Sequence, residues 1–82
     1  MPYIKREERP AVDLANKPKD PGELNYLVTR LVQRFLSRDG KAPRYADFNA
    51  AMGALECCKL ELYRRMIAPY EDKKIAENGD VY

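Results

Sequence analysis

The chain has 82 residues, with 15 basic and 13 acidic side chains, a net charge of +2, no His, no Trp, one Ser and one Thr. That length allows one small domain with marginal core stability, and the adjacent pair Cys57 and Cys58 cannot staple it, so further burial is expected from self-association. The balanced charge argues against a dedicated polyanion binder, and no stretch approaches the roughly 20 apolar residues of a membrane span or a signal-peptide core, which points to the cytoplasm and away from membranes.

Residues 1–19 read as an N-terminal strap or short helix. Pro10 suits a first helical turn, Pro18 closes the segment, and Ala11, Val12, Leu14 and Ala15 form an apolar group between them. Tyr3 and Ile4 are candidate anchors over an open end of the core. Lys5, Arg6 and Arg9 also read as an anion-binding arm, weakened by the intervening Glu7 and Glu8. Asp20-Pro21-Gly22-Glu23 is a helix start, with Asp20 as cap, Pro21 at the first helical position and Glu23 placed to return a hydrogen bond to the cap. Leu24, Leu27, Val28, Leu31, Phe35 and Leu36 follow at helical steps, and Arg38-Asp39-Gly40 supplies a basic last turn and a glycine stop. The spacing predicts a helix over 20–39. Lys41 to Arg44, containing Pro43, is a tight connection, so the next helix is expected to fold back antiparallel.

That second helix is predicted over 45–68. Phe48, Met52, Leu55, Cys58, Leu62 and Met66 trace one face. Ala50, Ala51, Gly53 and Ala54 make one segment thin enough for close approach by another helix backbone, either the first helix or a second subunit, although Gly53 costs about 1 kcal/mol relative to Ala. Pro69 is expected to end or kink the helix at Ala68, a short helix over 70–78 follows, and Asn78-Gly79 stops it before the apolar Val81 and Tyr82. The fold class is all-α: an antiparallel two-helix hairpin with short N- and C-terminal helices, one domain over 1–82, oligomeric.

The runs Ala54-Leu55-Glu56-Cys57-Cys58-Lys59-Leu60-Glu61-Leu62-Tyr63-Arg64-Arg65, Ala68-Pro69-Tyr70-Glu71-Asp72-Lys73-Lys74-Ile75 and Glu77-Asn78-Gly79-Asp80-Val81-Tyr82 resemble a small family of uncharacterised prokaryotic and phage proteins. The opening Met1-Pro2-Tyr3-Ile4-Lys5 and the run Gly22-Glu23-Leu24-Asn25-Tyr26 are similar to the same family. The resemblance covers most of the chain and implies a compact helical protein without an established activity. A phage-encoded member would act in the host cell cytoplasm.

Chemistry is sparse. Cys57 and Cys58 point about 100° apart on a helix and cannot clasp one metal ion, so they read as buried small apolar residues. Glu56 and Glu61 lie about 140° apart and do not face one acid–base site; Glu56 suits Lys59 and Glu61 suits Arg65 as surface pairs. No nucleophile with its base, and no cofactor site, can be assembled, so an enzyme is not expected. The most site-like feature is a pair of adjacent polar rows on the first helix, Asn25, Thr29 and Gln33 beside Arg30, Arg34 and Arg38. Three guanidiniums on one stripe need carboxylates or an anion opposite them, and Glu56 and Glu61 on the second helix, or Glu71 and Asp72 of another subunit, are candidate neutralisers.

Candidate ligand-binding residues are therefore Asn25, Thr29, Arg30 and Arg34, with Lys59, Tyr63 and Arg64 as a possible base-and-phosphate frame where subunits meet. The expectation is a non-enzymatic homo-oligomer binding an anionic, nucleotide-type small molecule, by analogy with phage proteins that sequester host signalling nucleotides. The alternatives are a protein–protein interaction module presenting Ala50 to Ala54 or Tyr63 to Tyr70, and nucleic-acid binding through Arg30, Arg34, Arg38, Lys41 and Arg44. Four carboxylates against two lysines from Glu71 to Tyr82 make nucleic acid the weaker of these.

Overall fold

A computed structural model describes residues 3–82, and every regular element among them is helical. A 3₁₀ turn, Arg6–Glu8, leads into α1, Arg9–Ala15, and α2 spans Pro21–Leu36. The helix α3 spans Tyr45–Leu62, a π-helical turn spans Tyr63–Ile67, and α4 spans Ala68–Asn78. The chain divides into two compact units, Met1–Asp47 and Phe48–Tyr82. None of the helices is long and apolar enough to cross a membrane among the described residues.

In the first unit, Pro10 sits in the first turn of α1, where its missing N–H leaves no bond unmade. The helix stops at Asn16, which takes the left-handed conformation at φ 50° and donates its N–H to the Val12 carbonyl at 2.9 Å. α1 packs on α2, with Val12 buried. Asp20 caps α2 as its sequence predicts, its carboxylate accepting from the Glu23 N–H at 2.8 Å. The reciprocal bond differs from expectation by one residue, because Glu23 Oε1 accepts from the backbone N–H of Lys19 at 3.4 Å. The Lys19 ammonium lies 4.0 Å from the same carboxylate, so this buried acid has its countercharge beside it.

α2 ends at Leu36, short of the predicted 39, because side chains take over its last carbonyls. Ser37 Oγ donates to the Gln33 carbonyl at 3.1 Å and Arg38 Nη1 donates to the Phe35 carbonyl at 2.8 Å. Gly40 follows at φ +73°, a conformation that L side chains resist. Asp47 then secures the start of α3, accepting from the Arg44 N–H at 2.9 Å and from Arg38 Nη2 at 3.0 Å. The Arg44 N–H, followed by the Arg38 guanidinium, holds the Asp47 carboxyl below its ordinary range. Stability from this pair is present above the ordinary carboxylate pKa and is lost as pH falls through the lowered one.

The predicted interruption at Pro69 takes a different form. A proline ring clashes with the carbonyl four residues earlier. Here the preceding turn is widened to hold one residue more, Ala68 donating its N–H to the Tyr63 carbonyl, and helical structure runs on from Tyr45 to Asn78. The expected apolar face of α3 is also incomplete as a description. Ala50, Gly53, Cys57 and Leu60 fall on the side opposite Phe48, Leu55 and Leu62, so apolar residues lie around the whole circumference. Met52 is 69 % exposed and Leu60 57 %, and Cys57 and Cys58, expected to be buried, are both exposed free thiols, because among the described residues no second element of their unit packs over this stretch of α3.

Replacing Asp20 with Ala removes the cap of α2 and is expected to cost about 1 kcal/mol. In a domain of this size that is roughly 4–8 °C in the thermal midpoint, measured by circular dichroism at fixed protein concentration.

Candidate functional site

The helical start at Arg9 and the periodicity of α2 bring two strands of sequence onto one cleft. It has a volume of about 290 Å³ and is lined by Tyr3, Ile4 and Arg9 on one side and Asn25, Tyr26, Thr29, Arg30 and Gln33 on the other. Residues 25, 26, 29, 30 and 33 recur at helical steps, which is why a single face of α2 supplies the whole wall. An adjoining recess of about 460 Å³ is lined by Asp13, Asn16, Leu27, Arg30 and Arg34, so Arg30 borders both hollows.

Tyr26 ties the two walls together. Its hydroxyl donates to Asp13 Oδ2 at 2.6 Å across the α1–α2 packing, and its ring lies 5.9 Å from the Arg9 guanidinium carbon. The hydrogen bond to Asp13, followed by burial and the Asp13 charge, raises the phenol above its ordinary pKa, while Arg30 and Arg9 pull it back. Both guanidiniums therefore act on the same hydroxyl. The Nε of Arg9 is buried with no hydrogen-bond partner among the described residues, a donor on a charged group at the cleft. Arg30 Nη1 donates to Gln33 Oε1 at 3.2 Å, which orients its guanidinium along the helix.

Of the predicted residues, Asn25, Thr29 and Arg30 line the cleft and Arg34 lines the recess. Thr29 is not a free donor there, because its hydroxyl proton goes to the Asn25 carbonyl at 2.8 Å. Arg38, the third member of the basic row, stacks over Phe35 at 4.1 Å and bridges Asp47 at 3.0 Å. Its carboxylate partner is thus Asp47, where the sequence reading proposed Glu56 or Glu61. Lys59, Tyr63 and Arg64 belong to the second unit, and each has a local partner: Glu56 at 3.1 Å, Glu71, and Glu61 at 2.9 Å. Glu61 also accepts from Arg65, and Arg64 and then Arg65 hold its carboxyl below the ordinary value.

The cleft residue given least weight in the sequence is Arg9, read there only as part of a basic arm with Lys5 and Arg6. Pro10 marks the first turn of α1, and the packing of α1 on α2 then sets Arg9 at the cleft. The resulting site has two guanidiniums, two amides and two tyrosine rings, with no carboxylate, thiol or amine in its lining. It can hold an anion and stack a flat group, but it has no nucleophile–base pair. No group of three or more His, Cys, Asp and Glu able to hold a metal ion occurs among the described residues.

A family model described as Domain of unknown function (DUF6899) matches residues 1–81, and the chain belongs to this family. Neither a curated protein nor a solved structure matches the chain.

Ultraviolet titration is expected to show two phenols, Tyr26 and Tyr63, deprotonating above the ordinary range, Tyr63 through its hydrogen bond to Glu71. Asp13→Asn should lower the Tyr26 step and Tyr26→Phe should abolish it, with the Tyr63 step left in place. Because the folded-state pKa is raised, the tie between α1 and α2 is intact below the ordinary tyrosine pKa and is lost as pH rises through the raised one.

Proposed function

We propose that this protein is a non-enzymatic, homo-oligomeric helical binding protein whose α1–α2 cleft takes an anionic, nucleotide-type small molecule. The observation that carries the reading is the pairing of Arg9 and Arg30 on one cleft, with the buried Arg9 Nε lacking a partner. A phosphate or carboxylate supplies the acceptor that this donor lacks, and planar guanidiniums match it bidentately. Tyr3 and Tyr26 offer faces for a base, and Asn25 and Gln33 offer amides for its edges. The absence of an acid–base pair in the lining fits binding or sequestration better than turnover.

The oligomeric part of the proposal rests on exposed apolar side chains, among them Leu31 and Met52. In this reading they are covered by helix pairing, within an antiparallel hairpin and between copies. A second reading, an interaction module for another protein, is favoured by α3 alone. A helix that is apolar all round belongs in an interior.

Native mass spectrometry of the protein purified gently from cells tests the proposal. The expected result is an oligomer carrying extra mass that is released on denaturation. Arg9→Ala and Arg30→Ala should each lose that mass while keeping the subunit count, since a charge-assisted hydrogen bond is worth about 1.5–3 kcal/mol, or roughly tenfold to hundredfold in affinity. An oligomer without added mass in the unmodified protein would favour the interaction module.

A further inference from the structure

Arg30 is the one described residue on the linings of both the cleft, of about 290 Å³, and the adjoining recess, of about 460 Å³. A hydrogen bond joins their walls, because Tyr26 lines the cleft, Asp13 lines the recess, and the phenol donates to the carboxylate at 2.6 Å. Each hollow also has a second guanidinium of its own, Arg9 in the cleft and Arg34 in the recess. Arg30 and Arg34 stand four residues apart on α2, which makes them neighbours of like charge that repel one another. Among the described residues neither forms an ion pair. Asp13 is the one carboxylate on the recess lining; Tyr26 holds one of its oxygens, and against two guanidiniums its single charge leaves the recess positive.

We propose that the ligand is a nucleoside diphosphate, its first phosphoryl group held between Arg9 and Arg30 and its second between Arg30 and Arg34. The base lies against Tyr3 and Tyr26, as in the cleft reading above, on which this assignment rests. A guanidinium presents N–H donors along more than one edge, and Arg30 gives one of its own to Gln33 Oε1 at 3.2 Å. The remaining donors reach to either side, and a single bridging oxygen keeps the two phosphoryl groups close enough to share them. A monophosphate neutralises Arg9 and Arg30 and leaves Arg34 without a countercharge. The second phosphoryl group supplies it and relieves the repulsion along α2. Asn16, also on the recess lining, adds a neutral amide donor for the same group.

Isothermal titration calorimetry of the full chain with the mono- and diphosphates of adenosine, guanosine, cytidine and uridine tests it. For the best-bound base the diphosphate should bind about tenfold to hundredfold tighter than the monophosphate, the range for charge-assisted hydrogen bonds. Arg34→Ala should erase that ratio and leave the monophosphate affinity unchanged, whereas Arg9→Ala should weaken both nucleotides and keep the ratio. Lys17→Ala removes a charge next to Asn16 that lies on neither lining, and it should leave both affinities as they are. The proposal is overturned, with the cleft reading still standing, if the wild type binds mono- and diphosphate alike, if Arg34→Ala keeps the ratio, or if Lys17→Ala erodes it as much. Inorganic pyrophosphate binding as tightly as the best diphosphate overturns the nucleoside assignment, and a wild type that binds none of the nucleotides overturns the cleft reading as well.

Discussion

A helix of ten to twenty residues is marginal in water unless something covers its apolar side, because the backbone entropy of each turn outweighs the hydrogen bond it gains. Every element of this chain lives under that constraint. Among the described residues the buried apolar side chains are Val12 and Ala51, while Leu31, Met52 and Leu60 are more than half exposed. Local devices therefore carry much of the definition: the Asp20 cap, the Ser37 and Arg38 bonds at the end of α2, and Asp47 at the start of α3. Each fixes a helix end without requiring a core.

The same economy shapes the cleft. α1 has seven residues, too few to persist alone, and it is held on α2 by Val12, the Tyr26–Asp13 bond and the Arg9–Tyr26 contact. Two of these three ties also border the cleft. A ligand bridging Arg9 and Arg30 would add another link between the walls, so binding and the docking of α1 are coupled thermodynamically.

Helix starts were legible in the sequence because they depend on residues within one turn. Asp20-Pro21 and Pro10 announce theirs, and Asn78-Gly79 marks the final stop. What the sequence concealed were choices among equivalent partners. Glu23 could bond the N–H of its cap or that of the residue before the cap, and it bonds Lys19. Arg38 had several carboxylates in prospect, and the short connection brings it Asp47. The polar row on α2 pointed to Asn25, Thr29 and Arg30, since helical spacing alone aligns them. Arg9 was hidden because its place depends on how α1 packs across α2, which no spacing within α1 encodes. Pro69 announced a disturbance without revealing that the preceding turn would absorb it.

That widened turn also acts as a phase shifter. Tyr63 reaches Glu71, eight residues on, across two turns that in an unbroken α-helix would hold about seven. Everything after Ile67 is thereby rotated relative to what comes before, so the periodicity read from Phe48 to Leu62 does not extrapolate into α4. Removing a single residue between Tyr63 and Ile67 would leave the helix a regular α-helical path, yet would wind Glu71, Asp72 and Ile75 onto another meridian of it.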